Sequence, residues 1–166
     1  MKTFTIWFTG LPSSGKTTLA GILYDHIRDL GIPIVMLDGD DVRKYVSPDL
    51  GYTTKERNKQ MKRMYGINNL LRKNGINVIA CTNTPPSDEE YDIKTIYVKC
   101  PVDVCKKRDV KGLYALAKKG KLINLMGFDL KYKPPKKPYL ILETDKLDII
   151  KCIDIIIELI LGELYL

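Results

Sequence analysis

The feature that most constrains the fold of this chain is a glycine-rich segment near its N-terminus. Residues 10–17 read GLPSSGKT and match the pattern GxxxxGK[ST] at every defined position. An alternating apolar run over residues 3–9 precedes the segment and predicts a β-strand. A helical pattern over residues 15–30 follows it and ends at Gly31. A strand, a glycine-rich turn and a helix in this order are typical of a phosphate-binding loop.

Each defined position of this loop has a chemical task. Gly10 and Gly15 let the backbone curl tightly, so that successive N–H groups face one anion. The helix that begins near Lys16 adds a positive dipole end, and the Lys16 ammonium can reach the β- and γ-phosphates of ATP. The Thr17 hydroxyl is suited to ligate Mg²⁺. The residues expected to hold ATP here are Gly10, Pro12, Ser13, Ser14, Gly15, Lys16, Thr17 and Thr18.

Strand and helix patterns alternate along the rest of the chain. Apolar runs predict strands over residues 33–37, 76–81, 93–98 and 139–142, and helical patterns cover 53–73 and 103–119, with a break at Gly112. A last amphipathic helix over residues 147–161 is predicted, with Asp145 as its cap. This order predicts an α/β fold of the P-loop NTPase type, a parallel sheet with helices on both faces, whose ligands bind at the carboxyl ends of the strands.

Length and composition indicate one domain over residues 1–166. The 166 residues are 45% hydrophobic, which is enough to bury a core. No uncharged apolar stretch is long enough to span a membrane, and no signal-peptide pattern is visible. The four cysteines show no CxxC pairing, which favours buried reduced thiols and a cytoplasmic protein.

The net charge of +7 suits either nucleic acid or small polyanions. Much of the excess lies in residues 118–137, where few aromatic side chains interleave the lysines, so small polyanions are favoured over nucleic acid. Three prolines punctuate the end of this basic loop, and we predict a mobile lid over about residues 108–137, with a plain surface loop as the alternative.

Acidic residues separate this chain from other proteins with a phosphate-binding loop. The NKxD motif of GTPases is absent, because Asn58-Lys59 is followed by Gln60, and no acid ends the third strand. Acids instead follow the second strand, at Asp38, Asp40 and Asp41. Asp38 is predicted to join Thr17 at the metal. Asp40 is predicted to orient the acceptor hydroxyl and accept its proton late in the transfer, with a role as a helix N-cap as the alternative.

Several segments in order resemble the adenylylsulfate kinase family. They are the phosphate-binding loop, LDGDDVR at residues 37–43, GYT at 51–53 with Arg57 and Arg63, and CKKRDVKGLY at 105–114, continued by Gly127, Asp129, Tyr132, Pro134 and Pro135. The resemblance covers nearly the whole chain. It implies transfer of the γ-phosphoryl group of MgATP to the ribose 3′-hydroxyl of a nucleotide.

The resemblance also assigns roles to individual residues. Asp40 matches the acceptor-site aspartate, Arg43 and Arg57 match arginines that grip acidic groups of the acceptor, and Tyr52 matches an aromatic that stacks on its base. Arg108 and Lys111 match a lid over ATP. A surface ion pair with Asp41 or Glu56 is the alternative for the two arginines. The predicted acceptor-binding set is Asp38, Asp40, Arg43, Tyr52, Arg57, Gln60 and Leu125.

The chain departs from the family pattern only on the acceptor side. Residues 84–87 read TPPS where the family has SPYR, Leu125 stands in place of a stacking aromatic, Gln60 replaces an asparagine, and Lys133 replaces a glutamate. The loss of one stacking ring weakens the case for adenine. The chain is similar to the cytidine diphosphoramidate kinase branch, which implies cytidine 5′-diphosphoramidate as acceptor and a role in capsule synthesis. Adenylylsulfate is the alternative acceptor, and a non-catalytic ATP-binding or nucleic-acid-binding module is a remote third.

The terminal helix leaves one question of assembly open. Its apolar residues Leu147, Ile150, Ile153 and Ile157 could either close the core or form the face of a homodimer.

Overall fold

Five parallel strands form one sheet at the centre of the molecule. The computed structural model describes residues 3–87 and 92–161, and residues 1–2, 88–91 and 162–166 lie outside this description. The strands are β1 (Thr5–Thr9), β2 (Ile34–Asp38), β3 (Asn77–Thr82), β4 (Ile93–Lys99) and β5 (Leu140–Glu143). Their spatial order is β2-β3-β1-β4-β5, and every neighbouring pair is parallel.

Six α-helices connect or follow the strands in the described part of the chain. They are α1 (Lys16–Asp29), α2 (Gly39–Tyr45), α3 (Thr54–Lys73), α4 (Val102–Arg108), α5 (Leu113–Lys118) and α6 (Ile149–Ile156), and α6 continues into a π-helical turn over Ile157–Leu161. The predicted break at Gly112 is confirmed, since this residue has a left-handed backbone between α4 and α5. The short helix α2 was not predicted from the sequence.

Successive side chains of β1 point to opposite faces of the sheet, and each face is covered by helices. Ile6 and Phe8 are fully buried on one face, in a cluster with apolar residues of α1 and α6. Trp7 points to the other face and packs with Met61 and Met64 of α3. Helices therefore cover both faces, which confirms the predicted fold class. The molecule has the two-sided burial that a parallel sheet requires.

The predicted cap of the last helix is wrong. The Asp148 carboxylate, not that of Asp145, accepts a hydrogen bond from the backbone N–H of Lys151, at 2.8 Å. The reason is a turn before the helix, in which the N–H groups of Lys146 and Leu147 donate to the Glu143 carbonyl. This turn displaces the start of α6 by three residues.

The terminal helix contributes to the core through part of its apolar face. Ile153 is buried among residues of the sheet and α1, and Leu147 and Ile157 pack against the same cluster. Ile150 is 73% exposed. None of the helices in the described ranges is long and apolar enough to cross a membrane.

Candidate active site

The phosphate-binding loop connects β1 to α1 with the geometry that its glycines predict. Gly15 has φ 104° and precedes the helix, and Ser13 also has a left-handed φ of 62°. A Cβ atom on Gly10 would lie 2.4 Å from the Val98 carbonyl oxygen of β4. Only glycine fits so close to the neighbouring strand, so Gly10 holds the loop against the sheet.

Lys16 is the buried cation of this loop. Its ammonium donates to the Leu11 carbonyl at 2.6 Å, and the side chain is 8% exposed. Burial lowers the pKa of Lys16 from 10.5 to about 8. The Lys16 ammonium therefore lies within the loop, where an incoming phosphate would compensate for its lost hydration.

Two aspartates at the carboxyl end of β2 lie beside the loop. Asp38 is the N-cap of α2: one carboxylate oxygen accepts from the Asp40 N–H at 2.8 Å, and the other accepts from the Thr17 hydroxyl at 3.1 Å. The alternative in which Asp40 is only a helix cap is wrong, because Asp38 makes that contact. The Asp40 carboxylate is exposed and forms an ion pair with Lys111 at 2.6 Å.

This ion pair joins two predicted site residues that are 71 positions apart. Hydrogen bonding to Asp40 raises the pKa of Lys111. Lys111 follows α4, so the segment that was predicted as a lid meets the end of β2 at this point. The residue assigned to the ATP lid by resemblance thus touches the residue assigned to the acceptor.

Two guanidinium groups lie close to the Tyr52 ring. The Cζ atom of Arg43 is 4.5 Å from the ring centroid and that of Arg57 is 5.4 Å from it. The hydrogen bonds of both arginines go to backbone carbonyls rather than to Asp41 or Glu56: Arg43 donates to residues 50 and 51, and Arg57 to residues 52 and 124. The ion-pair alternative for the two arginines is therefore wrong.

The lid region is anchored to this arginine side of the site. Arg57 donates to the Asn124 carbonyl at 2.8 Å. The Asp129 carboxylate accepts from the N–H groups of Asn124 and Leu125. Leu125 is 5% exposed and packs with Leu11. Leu125 thus has a packing contact behind the phosphate-binding loop as well as a surface toward the site.

A second contact of the lid region reaches the loop itself through Thr144. Arg108 donates to the Thr144 carbonyl at 2.6 Å, and the Thr144 hydroxyl donates to the Ser14 carbonyl at 2.8 Å. Thr144 follows β5 and was missed by the sequence analysis, because a single threonine after a strand carries no motif. Its place next to the loop follows from the strand order.

One cavity of about 1080 Å³ joins these parts. All of the predicted site residues line it except Gly10, the first residue of the loop. Asn83, Thr84 and Asn124 also line it and were not predicted as site residues. The cavity therefore extends without interruption from the phosphate-binding loop to the Arg43–Tyr52–Arg57 cluster, which leaves room for two ligands side by side.

The oxygen atoms of Thr17 and Asp38 are of the kind that Mg²⁺ prefers. The described residues contain no group of three or more His, Cys, Asp or Glu side chains that could hold a metal ion. A few protein oxygens near a phosphate site fit Mg²⁺, since this ion usually keeps several waters and binds through substrate phosphates.

Comparison with known proteins agrees with this geometry. The family model described as adenylylsulphate kinase matches residues 2–143. The adenylyl-sulfate kinase of Synechococcus sp. (strain JA-3-3Ab) is 32% identical, over 98% of this chain and 96% of its own length. That of Halothermothrix orenii is 38% identical, over 87% of this chain and 82% of its own length.

Solved structures give the same result. The Mycobacterium tuberculosis APS kinase CysC, in complex with AMPPNP and APS, has a TM-score of 0.87 at 30% identity and is matched over 97% of its length by 95% of this chain. The shikimate kinase of Aquifex aeolicus, at 17% identity and a TM-score of 0.53, shares the fold alone. The chain therefore belongs to the adenylylsulfate kinase family of ATP-dependent P-loop kinases.

Proposed function

We propose that this protein transfers the γ-phosphoryl group of ATP to the ribose 3′-hydroxyl of a nucleotide that carries a small anionic group at its 5′ end. The observation that carries the proposal is the single cavity in which an intact phosphate-binding loop faces Asp40, Arg43 and Arg57. The loop takes the phosphates of ATP, and the two guanidinium groups take the anionic part of the acceptor.

Asp40 lies between these two halves and has the role of orienting the hydroxyl. An aspartate is a weak base, but phosphoryl transfer has a loose transition state in which orientation matters more than basicity. Lys111 must leave Asp40, or share it, when the acceptor hydroxyl arrives. Its ammonium then stays close to the phosphoryl group in transfer.

Thr17 and Asp38 would hold Mg²⁺ with ATP. The ion supplies charge neutralisation on the phosphate oxygens. The Thr17 hydroxyl donates to the Asp38 carboxylate at 3.1 Å, so the two proposed ligand oxygens lie side by side.

Two acceptors are candidates for the second half of the cavity. Adenylylsulfate is favoured by the comparisons, since the matched family and the relatives named above carry this activity in their names. Cytidine 5′-diphosphoramidate is favoured by the residues of the pocket, because the cavity is lined by Tyr52 and by the aliphatic Leu125, and a single aromatic ring suits the smaller base. The second assignment would place the protein in capsule precursor synthesis.

The test is ADP release with MgATP and each acceptor in turn, with Lys16→Ala as the inactive control. Turnover of either nucleotide that Lys16→Ala abolishes supports the kinase, and the ratio of the two kcat/KM values identifies the acceptor. ATP binding without turnover of either, together with salt-sensitive affinity for DNA or RNA, would favour a non-catalytic module instead.

We further propose that residues 1–166 act as one kinase domain, with residues 108–137 as the lid. The described cysteines are all free and buried, which supports a cytoplasmic location. The homodimer stays a prediction. Light scattering on the purified protein tests it, and a monomeric mass at working concentration would contradict it.

A further inference from the structure

Asn124 has a left-handed backbone that is held from both sides. Its φ is 61°, in a region where asparagine is one of the few residues other than glycine that occur often. Its N–H donates to the Asp129 carboxylate at 2.6 Å, and its carbonyl accepts from the Arg57 guanidinium at 2.8 Å. These two bonds fix the main chain of Asn124, and with it the point from which the side chain projects.

The side-chain amide is the part of Asn124 that is left for a ligand. The residue is partly buried and lines the cavity, and both of its main-chain polar groups are engaged. No residue within 3–87 or 92–161 forms a hydrogen bond with the amide, and the amide is not enclosed by protein atoms. A molecule in the cavity can therefore reach it.

The surroundings of Asn124 indicate which part of the acceptor it meets. Arg57, which holds the Asn124 carbonyl, has its Cζ atom 5.4 Å from the centroid of the Tyr52 ring. The Tyr52 side chain is 44% exposed and also lines the cavity, so a base can stack on its ring. The arginines beside the ring supply donors for the anionic part of the acceptor. The amide of Asn124, which offers both a donor and an acceptor, suits the base.

The polar edges of the two candidate bases match such an amide. Adenine and cytosine each present an amino group next to an unprotonated ring nitrogen, which is one donor beside one acceptor. Asparagine and glutamine bind adenine in DNA through an amino group and a ring nitrogen in the same way. We propose that the Asn124 amide binds the amino group and the adjacent ring nitrogen of the acceptor base. The proposal rests on the proposed function and holds for either acceptor.

The left-handed backbone alone could also account for an asparagine at this position, and two variants separate the explanations. Asn124→Gly removes the amide, while glycine adopts the same backbone without strain. Asn124→Asp keeps the shape of the side chain and its acceptor for the amino group, but it has no donor for the ring nitrogen. The control is Asn58→Asp, which makes the same change of charge at an exposed position of α3 outside the cavity.

The experiment measures kcat/KM for adenylylsulfate and cytidine 5′-diphosphoramidate, and for analogues of each that lack only the amino group. These analogues have purine or pyrimidin-2-one as the base and keep the ring nitrogen. In the wild type we expect loss of the amino group to lower kcat/KM by about 5- to 20-fold, because the amide oxygen loses its partner.

The variants should respond differently to the same analogues. In Asn124→Gly the loss of the amino group should change kcat/KM by less than about twofold, whereas Asn58→Asp should keep the wild-type factor. Asn124→Asp should keep most of the factor but turn over both amino-bearing acceptors about tenfold less well, since its carboxylate faces the lone pair of the ring nitrogen. Comparing this factor between variants cancels general damage and any effect of the amino group on the reactivity of the acceptor.

Two results would overturn the proposal. One is a wild-type factor near one, which would mean that the amino group is not bound. The other is the same factor in Asn124→Gly as in the wild type, which would leave Asn124 only the role of holding the left-handed turn. Both results leave the kinase activity intact and remove this proposal alone. If the wild type turns over neither amino-bearing acceptor, the proposed function itself fails and this proposal falls with it.

Discussion

Lys16 is held by the phosphate-binding loop in a buried position. Its ammonium rests on the Leu11 carbonyl within the loop, and burial has lowered its pKa to about 8. A single carbonyl replaces only part of the lost hydration of an ammonium group. The phosphates of ATP restore the missing charge interactions, so binding raises the pKa of Lys16 again.

The pH dependence of ATP binding follows from this shift. Below about pH 8 Lys16 is charged in both the free and the bound protein, and affinity does not depend on its titration. Above that pH the free protein loses the proton first, so the dissociation constant for ATP should rise by up to about tenfold per pH unit. Calorimetric titration between pH 7 and about pH 9.5 should show this weakening together with proton uptake.

The matched control is Lys16→Ala, which should bind ATP weakly at every pH. An affinity of the wild type that stays constant across this range would contradict the role of Lys16.

The Asp40 carboxylate should matter for turnover much more than for ATP binding. In Asp40→Asn the side chain keeps its shape but loses its charge, so it can neither accept the proton nor form an ion pair with Lys111. We expect kcat to fall by about 100-fold or more, with the dissociation constant for ATP changed little. Asp41→Asn, at an exposed position next to it, should keep near-normal turnover. Near-normal turnover of Asp40→Asn would exclude the assigned role.

At the scale of single elements, the residue that caps the start of α6 should affect the stability of the protein. The Asp148 carboxylate caps this helix, whereas the exposed Asp145 precedes it. Asp148→Ala should destabilise the protein by about 1 kcal/mol, which lowers Tm by ~2–4 °C. Asp145→Ala should change Tm much less. Thermal unfolding of the two variants side by side checks this, and equal shifts would mean that the cap contributes nothing.

Long elements could be predicted from the sequence, and short ones could not. Helix α3, with 20 residues, begins within one residue of its predicted start, and Thr53 and Glu56 form its capping box. Helix α2 spans seven residues, too few to show a helical period, and its cap Asp38 was interpreted as a site residue only. Asp145 and Asp148 are both plausible caps by residue type, and only the turn at Glu143 decides between them.

Contacts in the site between residues that are far apart in the chain could not be predicted from the sequence. The phosphate-binding loop is local, so its motif predicted a tight glycine turn between β1 and α1. The Lys111–Asp40 and Arg57–Asn124 contacts join segments 71 and 67 positions apart. They depend on the strand order and on the path of the lid region, neither of which has a signature in one sequence.

At the scale of the whole molecule, the strand order explains why two ligands can meet. β1 lies at the centre of the sheet, with the phosphate-binding loop at its carboxyl end, and β2 and β3 end on one side of it. Their ends supply Asp38 and the residues after Cys81, so acceptor-side groups gather next to the loop. This agrees with the general rule that ligands bind at the carboxyl ends of parallel strands.

Ligand binding should stabilise the whole fold, since the loop, β2 and the lid region share one cavity. At ATP concentrations about 100 times the dissociation constant, the gain is about 2.7 kcal/mol, which corresponds to a rise in Tm of ~5–10 °C for a protein of this size. A thermal shift assay measures it. Lys16→Ala should show little shift at the same ATP concentration, and an equal shift would place ATP elsewhere.

The central claim is that phosphate passes from ATP to a ribose 3′-hydroxyl, and the most direct measurement is the ³¹P NMR spectrum of the product formed from MgATP and adenylylsulfate or cytidine 5′-diphosphoramidate. Our account predicts one new phosphomonoester resonance that couples to the ribose H3′ proton, and its absence with Lys16→Ala. A resonance coupled to H2′, a phosphoryl group added to the 5′ anion, or ADP and free phosphate without a new ester would contradict it.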